Sequence, residues 1–207
     1  MQKKAIWNQR YRARKYRAVC IAVFVIIFVF IAYFISQIEP VKKKYIYPYP
    51  QKEQELVVLY AEANGMPPAL VASVIMHESK FMNEVHSPRG AIGLMQLMPE
   101  TAEWIANQLD ESDFSLQKLH EPEMNIRFGT WYLALLIQEF NGNRVLALAA
   151  YNAGRGTVHE WMDEYGWSWD FSDISMIPYP ETRLYVERVL KDERQYEVLY
   201  HTPKEKQ

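Results

Sequence analysis

Cysteine is almost absent from this 207-residue sequence, in which Cys20 is the only one. Cys20 lies inside a long apolar run, so the rest of the chain has no thiol with which to form a disulfide. Histidine is also sparse, and the five histidines show neither the spacing of metal ligands nor a cysteine partner. We therefore expect a domain that is stable without disulfides and that uses no metal or other cofactor.

Positive charge is scarce beyond residue 44. Residues 1–44 contain ten of the 23 Lys and Arg and one of the 25 acids, which leaves 13 basic and 24 acidic residues in 45–207. The near-neutral total of −2 thus hides a basic N-terminal part and an acidic body. Domains that bind nucleic acid usually present a basic face, so this distribution argues against a nucleic-acid partner.

An uncharged stretch of 19 residues, 18–36, separates the basic part from the body. At ~1.5 Å per residue, a helix of this length is about 28 Å long, enough to cross a bilayer core of ~30 Å. Basic residues are more numerous before the stretch than after it, which predicts a cytoplasmic N-terminus and an extracytoplasmic body. A cleaved signal peptide is the alternative, but the stretch exceeds the usual signal core and no small-x-small site follows it. We expect a single-pass anchor in the lipid bilayer.

The sequence divides into five predicted segments. Residues 1–17 form a cytoplasmic basic tail and 18–36 the transmembrane helix. Residues 37–50 contain prolines and lysines and form a hydrated stalk. Residues 51–200 form the folded domain, and 201–207 are a short tail.

Helical periodicity dominates the predicted domain. The nearly continuous apolar pattern of 143–152 is typical of a buried central helix. Elsewhere we expect at most a short hairpin near 85–95, so the fold class is all-α or nearly so. The predicted helices are 51–64, 67–78, 99–109, 122–140, 143–152, 156–165 and 180–199.

Glu78 stands where an apolar run, residues 70–77, meets a polar segment. A carboxyl that such a run desolvates keeps its proton near neutral pH and is able to donate it to a leaving group. Glycoside cleavage needs this proton, because a sugar alkoxide is a poor leaving group. A surface or helix-capping glutamate is the alternative, and position alone favours it slightly.

Polar segments that interrupt the apolar helices are where we expect a cleft. Ser87 lies in a Ser-Pro-Arg-Gly turn, and the Gln96 amide both donates and accepts hydrogen bonds. Tyr151 and Asn152 place a phenol and an amide beside a glycine, and Glu181 precedes a threonine and an arginine. An ordinary turn serine and a surface ion-paired or helix-terminal glutamate are the alternatives for Ser87 and Glu181.

Five sequence blocks occur in the order and spacing of a known family. They are ESKF from Glu78, SPxGAxGLMQxMPxTA from Ser87, NIxxGxxYL from Asn125, AAYNAG from Ala149, and IP followed by ETRxYV from Ile177. Together they resemble the catalytic domain of the soluble lytic transglycosylase family, which is related in fold to goose-type lysozyme. The resemblance extends over about residues 70–190.

The resemblance implies a lysozyme-like domain that acts on the peptidoglycan glycan strands of a bacterial wall. Such enzymes cleave the β-1,4 bond between MurNAc and GlcNAc without water and close the muramyl residue into a 1,6-anhydro ring. One glutamate acts first as acid and then as base, and it matches Glu78. The supporting and substrate-binding residues that we expect are Ser87, Gln96, Met98, Tyr151, Asn152 and Glu181.

The sequence departs from the family pattern at two positions. His77 precedes the acid where the family often has glutamine, and we expect it to have a tuning or structural role. Arg155 stands where the family commonly has proline, and its guanidinium is expected either to contact substrate carboxylates or to be solvated. A group of aromatic side chains is expected either to stack on sugars or to pack the core: Trp161, Tyr165, Trp167 and Trp169.

Other functions remain compatible with the sequence. A hydrolytic muramidase would cut the same bond with water, and a wall-binding or assembly module would keep the fold without turnover. The anchor and the short stalk would also suit local wall opening for a secretion, sporulation or division machine.

Overall fold

The computed structural model describes residues 15–17, 19–35, 46–48 and 50–201, except for the side chains of 199–201. The chain divides into two compact units, Met1–Tyr47 and Pro48–Gln207. Most of the predicted basic tail, stalk and C-terminal tail lies outside the described residues.

Among the described residues of the first unit is a long helix, α1, from Lys15 to Ile35. It is 21 residues long, has a mean hydropathy of 3.2 in its most apolar window and buries none of that window. By length and composition it is able to cross a membrane, a property that it shares with signal sequences.

The second unit is built from helices, and prolines define where several of them begin. Pro68, Pro99, Pro122 and Pro180 are each the first residue of a helix, where a missing N–H leaves no hydrogen bond unmade. Short 3₁₀ helices cover Leu116–His120 and Ile174–Met176. The α-helices are α2 Gln51–Ala63, α3 Pro68–Glu78, α4 Pro99–Gln108, α5 Pro122–Glu139, α6 Arg144–Ala153, α7 Arg155–Tyr165 and α8 Pro180–His201.

The all-α prediction is confirmed, because the described part of the chain contains no β-strand. The hairpin expected near 85–95 is reduced to two isolated antiparallel bridges, one between His86 and Ile92 and one between Ile92 and Leu97. These bridges fold residues 86–97 into a compact double turn between α3 and α4.

Helix α6 lies at the centre of the core, as its apolar pattern predicts. Its residues 146–150 are fully buried, and it packs against α5, α7 and α8. Helix α3 packs along α8, where the Ser73 hydroxyl donates a 2.8 Å hydrogen bond to the carbonyl of Val189. This packing brings the C-terminal ends of α3 and α6 to the N-terminal end of α8, where a cleft opens.

Candidate active site

Glu78 is the last residue of α3, and its carboxyl lies at the wall of the cleft. Residues 69–75, which precede it, are all buried. Burial of the carboxyl raises the pKa of Glu78 from 4.5 to about 7, although a neighbouring phenol, Tyr185, lowers that pKa. Desolvation is thus the dominant effect, and it keeps a large share of Glu78 protonated at neutral pH.

The chain turns sharply after Glu78. Ser79 is buried and donates a 3.2 Å hydrogen bond to the carbonyl of Ile75, which closes the end of α3. Lys80 and Phe81 then adopt left-handed backbone angles, with φ of 53° and 60°. Such angles are uncommon for residues other than glycine, and they turn the Phe81 side chain back into the core.

Ser87 faces the cleft from the first turn of the 86–97 loop. Its hydroxyl oxygen accepts a 3.0 Å hydrogen bond from the amide of Ala91, and its own amide donates to the Ala91 carbonyl at 3.0 Å. The Ser87 hydroxyl proton is still available to a carboxyl or a sugar oxygen. Ser87 is therefore both a turn serine and a residue that lines the cleft.

Gln96 projects into the cleft from a left-handed backbone conformation with φ of 47°. Its amide nitrogen donates 2.8 Å hydrogen bonds to the carbonyls of Val85 and Gly93. The protein thus uses both donors of the Gln96 amide, and the amide oxygen is the group left for a ligand. Met98, beside it at the start of α4, is 40 % exposed and so is not a core residue.

A buried asparagine, Asn125, holds the 86–97 loop in place. Its side-chain oxygen accepts a 2.7 Å hydrogen bond from the amide of Met95, and its nitrogen donates at 2.9 Å to the carbonyls of Ile92 and Leu119. A Cβ on Gly93 would lie 2.2 Å from this nitrogen, so only glycine fits there.

Gly129, one turn along α5 from Asn125, allows the same loop to approach the helix. A Cβ at Gly129 would lie 2.7 Å from the Cβ of Met95. Sequence reasoning quoted both residues in a family block but gave them no role. An asparagine and a glycine on the apolar face of a long helix were the signal for a close backbone approach.

Tyr151 and Asn152 reach the cleft from the end of α6. The Tyr151 hydroxyl donates a 2.8 Å hydrogen bond to the carbonyl of Met95, which ties α6 to the same loop. Burial, and then the negative charge of Glu78, raise the pKa of Tyr151 well above 10. The Asn152 side-chain oxygen accepts a 2.8 Å hydrogen bond from the hydroxyl of Thr182 on α8.

Helix α8 contributes Glu181 and Tyr185, which are one turn apart. Glu181 is exposed on the first turn, at the rim of the cleft. Tyr185 is buried, and no described residue other than Glu78 is a hydrogen-bond partner of its hydroxyl. Its phenol influences the pKa of Glu78, so it faces that carboxyl. Sequence reasoning gave Tyr185 no role.

All seven predicted site residues line one cleft of about 550 Å³. Further lining residues that were not predicted as site residues include Arg89, Thr101 and Tyr132. Glu78 and Glu181 are the only acids in this lining as described. No three His, Cys, Asp or Glu side chains of the described residues are grouped as a metal site would require.

Comparison with known proteins agrees with this geometry. The family model described as "Transglycosylase SLT domain" matches residues 55–173. This chain belongs to the SLT transglycosylase family. Glu181 and Tyr185 lie beyond the matched residues, so the cleft combines the SLT domain with the helix that follows it.

Named relatives and solved structures support the same assignment. The chain is 36% identical over 150 residues to a soluble lytic murein transglycosylase of Salmonella typhimurium, covering 72% of this chain and 23% of that protein. It is 34% identical over 112 residues to a membrane-bound lytic murein transglycosylase C of Actinobacillus pleuropneumoniae, covering 50% and 31%. The 70 kDa soluble lytic transglycosylase of Escherichia coli superposes with a TM-score of 0.69 at 32% identity, over 77% of this chain and 26% of that one. This chain thus spans about a quarter to a third of the length of these relatives.

The two departures from the family pattern both contact a carboxylate within the protein. His77 on α3 lies 2.9 Å from the Asp192 carboxylate on α8, a contact that fits the structural alternative of the tuning or structural role expected for it. Arg155 pairs with Glu139 at 3.3 Å and lies 5.9 Å from the Trp104 ring. The Arg155 side chain is still 50% exposed, so it is partly solvated, and its contact with substrate carboxylates stays a prediction.

The aromatic group divides between core and surface. Trp161 is buried and meets the Tyr179 ring edge-on, with centroids 4.9 Å apart. Trp167 stacks on Phe171 at 3.9 Å, whereas Trp169 is 48 % exposed. None of the four tryptophans and tyrosines named from the sequence lines the cleft, so the packing alternative describes Trp161 and Trp167.

Proposed function

We propose that this protein is a membrane-anchored peptidoglycan lytic transglycosylase that cleaves the MurNAc–GlcNAc β-1,4 bond. The observation that carries the proposal is the Glu78 carboxyl, whose pKa of about 7 leaves a large share of it protonated at neutral pH at the wall of an open cleft. Membership of the SLT family and resemblance to named lytic murein transglycosylases support it.

The proposed first step is proton donation. Glu78 gives its proton to the oxygen that links the muramyl C1 to the next sugar, and the C1–O bond breaks as positive charge develops on the muramyl ring. The departing sugar leaves with a neutral hydroxyl, and Glu78 becomes a carboxylate.

In the second step the same carboxylate acts as base. It removes the proton from the muramyl 6-hydroxyl, and that oxygen attacks C1 to close the 1,6-anhydro ring. Glu78 regains its proton, so the enzyme returns to its starting state. No water is added in the reaction, so the masses of the two products add up to the mass of the substrate.

The carboxylates of the cleft favour this one-glutamate scheme. Two-carboxylate retaining glycosidases place a nucleophile about 5–5.5 Å from the acid. Of the cleft-lining residues described, only Glu181 offers a second carboxyl, and it is exposed at the rim. An internal hydroxyl of the substrate replaces the missing nucleophile.

The other cleft residues have proposed binding roles. The free oxygen of Gln96 and the hydroxyl of Ser87 are placed to hydrogen-bond sugar groups, and Met98 offers an apolar contact. Tyr151 stays protonated and holds the loop through Met95. Asn152 and Glu181 extend the polar lining toward α8.

We infer that α1 anchors the enzyme in the cell membrane. Its length and hydropathy fit a span, and a relative is named as membrane-bound. The basic N-terminus supports a cytoplasmic tail, 1–17, and an extracytoplasmic domain, 51–200, joined by a stalk at 37–50. Action beside a secretion, sporulation or division machine would follow from this tether.

Mass spectrometry of digested peptidoglycan tests the chemistry. The full chain in detergent, beside Glu78→Gln, is incubated with purified sacculi. Anhydromuropeptides from the wild type alone are the expected result. Products heavier by one water would make the protein a hydrolytic muramidase, and no product from the wild type would favour a binding or assembly module.

A further inference from the structure

A second cavity, which we call the side pocket, opens beside the cleft. It has about 350 Å³ of space and is lined mainly by Arg89, Asn152, Tyr179, Glu181 and Thr182. Arg89, Asn152 and Glu181 also line the cleft, so the two spaces share a rim. A chain attached to a sugar in the cleft is therefore able to enter the side pocket.

The shared rim carries one positive and one negative side chain that do not form an ion pair with each other. Arg89 and Glu181 are both exposed, and within the described residues neither forms an ion pair or a side-chain hydrogen bond. Three other arginines of the same unit all pair with glutamates: Arg127, Arg144 and Arg155. A free guanidinium and a free carboxylate at one small pocket are complementary to a ligand with both charges.

The remaining walls suit a short peptide. The Asn152 oxygen is held by Thr182, which leaves the amide NH₂ of Asn152 as a donor toward the pocket. The Tyr179 ring is 52 % exposed and packs nearly perpendicular to the buried Trp161 ring, with centroids 4.9 Å apart. This ring offers an apolar wall to the aliphatic part of a ligand.

We propose that the side pocket is a stem-peptide subsite that selects a residue with both a free ammonium and a free carboxylate. Arg89 binds the carboxylate and Glu181 binds the ammonium. Diaminopimelate has such a side-chain terminus, whereas lysine and carboxyl-amidated diaminopimelate lack the carboxylate. The inference rests on the proposed function, because the glycan in the cleft is what presents the peptide to the side pocket.

The test compares three uncrosslinked, tetrapeptide-bearing glycan fragments that differ only at the third stem residue: diaminopimelate, its carboxyl-amidated form, or lysine. The full chain in detergent is assayed for kcat/KM on each, beside Arg89→Gln and the control Arg194→Gln. Arg194 is also exposed, and it lies 13 residues along α8 from Glu181, about 20 Å at ~1.5 Å per residue.

We expect the wild type and Arg194→Gln to prefer the free-carboxylate fragment by about 10-fold, the size of one good charge-assisted hydrogen bond. In Arg89→Gln this preference falls to about 2-fold or less. Circular dichroism checks that the variant is folded, as the exposure of Arg89 predicts. A wild type without preference, or an Arg89→Gln variant that keeps it, would overturn the proposal.

A binding measurement separates this inference from the proposed function. The free tetrapeptides, which contain no bond to cleave, are titrated into the same proteins and their Kd values are measured by calorimetry. If no fragment is cleaved, the lytic function is wrong, but an Arg89-dependent preference for the diaminopimelate peptide still supports the subsite. Equal Kd values for all three peptides would overturn the subsite even in an active enzyme.

Discussion

The Tyr185 phenol faces the Glu78 carboxyl and lowers its pKa through its hydroxyl, for which no other described residue is a hydrogen-bond partner. A hydrogen bond to the charged form of a carboxyl favours that form and so lowers the pKa. The Tyr185 hydroxyl thus opposes the burial that raises the pKa of Glu78. Tyr185 itself is not among the residues that line the cleft.

Replacing Tyr185 with phenylalanine removes the interaction that lowers the pKa of Glu78. We expect the alkaline limb of the pH profile of kcat/KM to move to higher pH, because Glu78 stays protonated longer. Tyr60→Phe is the control, because the Tyr60 hydroxyl donates to Glu123 at 2.9 Å outside the cleft lining. If the alkaline limb of the Tyr185→Phe pH profile does not move, Tyr185 does not affect the pKa of Glu78.

The raised pKa of Glu78 makes stability depend on pH. The folded-state pKa of about 7 exceeds the ordinary 4.5, so the native state favours the proton. The associated stability is complete below about pH 4 and is lost as the pH rises through 7, by up to about 3 kcal/mol. Glu78→Gln, which cannot ionise, should match the wild type at pH 4 and exceed its free energy of unfolding at pH 8.

Urea unfolding followed by tryptophan fluorescence at both pH values measures this difference. Glu187→Gln is the matched control, because Glu187 is exposed on α8. Equal stability of Glu78→Gln and the wild type at pH 8 would mean that the Glu78 carboxyl is not desolvated.

A pair of glycine substitutions tests the close approach of the loop to α5. In Gly129→Ala the new Cβ would lie 2.7 Å from the Cβ of Met95, so the loop must move, at a cost of about 1–3 kcal/mol. Gly156→Ala on α7 meets no atom within 4 Å and should be neutral or stabilising by up to about 1 kcal/mol. Thermal unfolding and the rate of anhydromuropeptide release are measured together. We expect Gly129→Ala to lower both the unfolding temperature and the rate of anhydromuropeptide release. An unchanged rate would show that the position of the loop does not affect catalysis.

Asn125→Ala should destabilise the 86–97 loop more than any cleft substitution. It removes three hydrogen bonds and leaves the Met95 amide and two carbonyls unpaired in a buried place, at a cost of about 2–4 kcal/mol. Asn64→Ala, which removes one hydrogen bond to the Tyr60 carbonyl at the end of α2, should cost less than about 1 kcal/mol. Chemical denaturation measures the free energy of unfolding of both variants. A similar loss in Asn125→Ala and Asn64→Ala would contradict the role of Asn125 in holding the loop.

The local sequence pattern was sufficient to predict the helices, whereas the binding and catalytic roles of the site residues stay predictions. Apolar periodicity and N-terminal prolines located the seven helices of the second unit to within about a turn at their ends, because both signals are local. The family blocks brought all seven predicted residues to one cleft, since their order follows the helix ends that meet there. Near 85–95, where at most a short hairpin was expected, the structure has two isolated antiparallel bridges.

Tertiary packing decided how each of these residues is used. The Gln96 amide nitrogen donates to the carbonyls of Val85 and Gly93, and the Arg155 guanidinium binds Glu139, because the folded loop and the packed helices bring these groups together. The pKa of Glu78 follows from its burial and from Tyr185, which lies 107 positions away along the chain. By itself the sequence determined which groups are present and on which helices, through local periodicity and motif. Desolvation, hydrogen-bond competition and charge pairing depend on distances through space, and only the tertiary structure decided those.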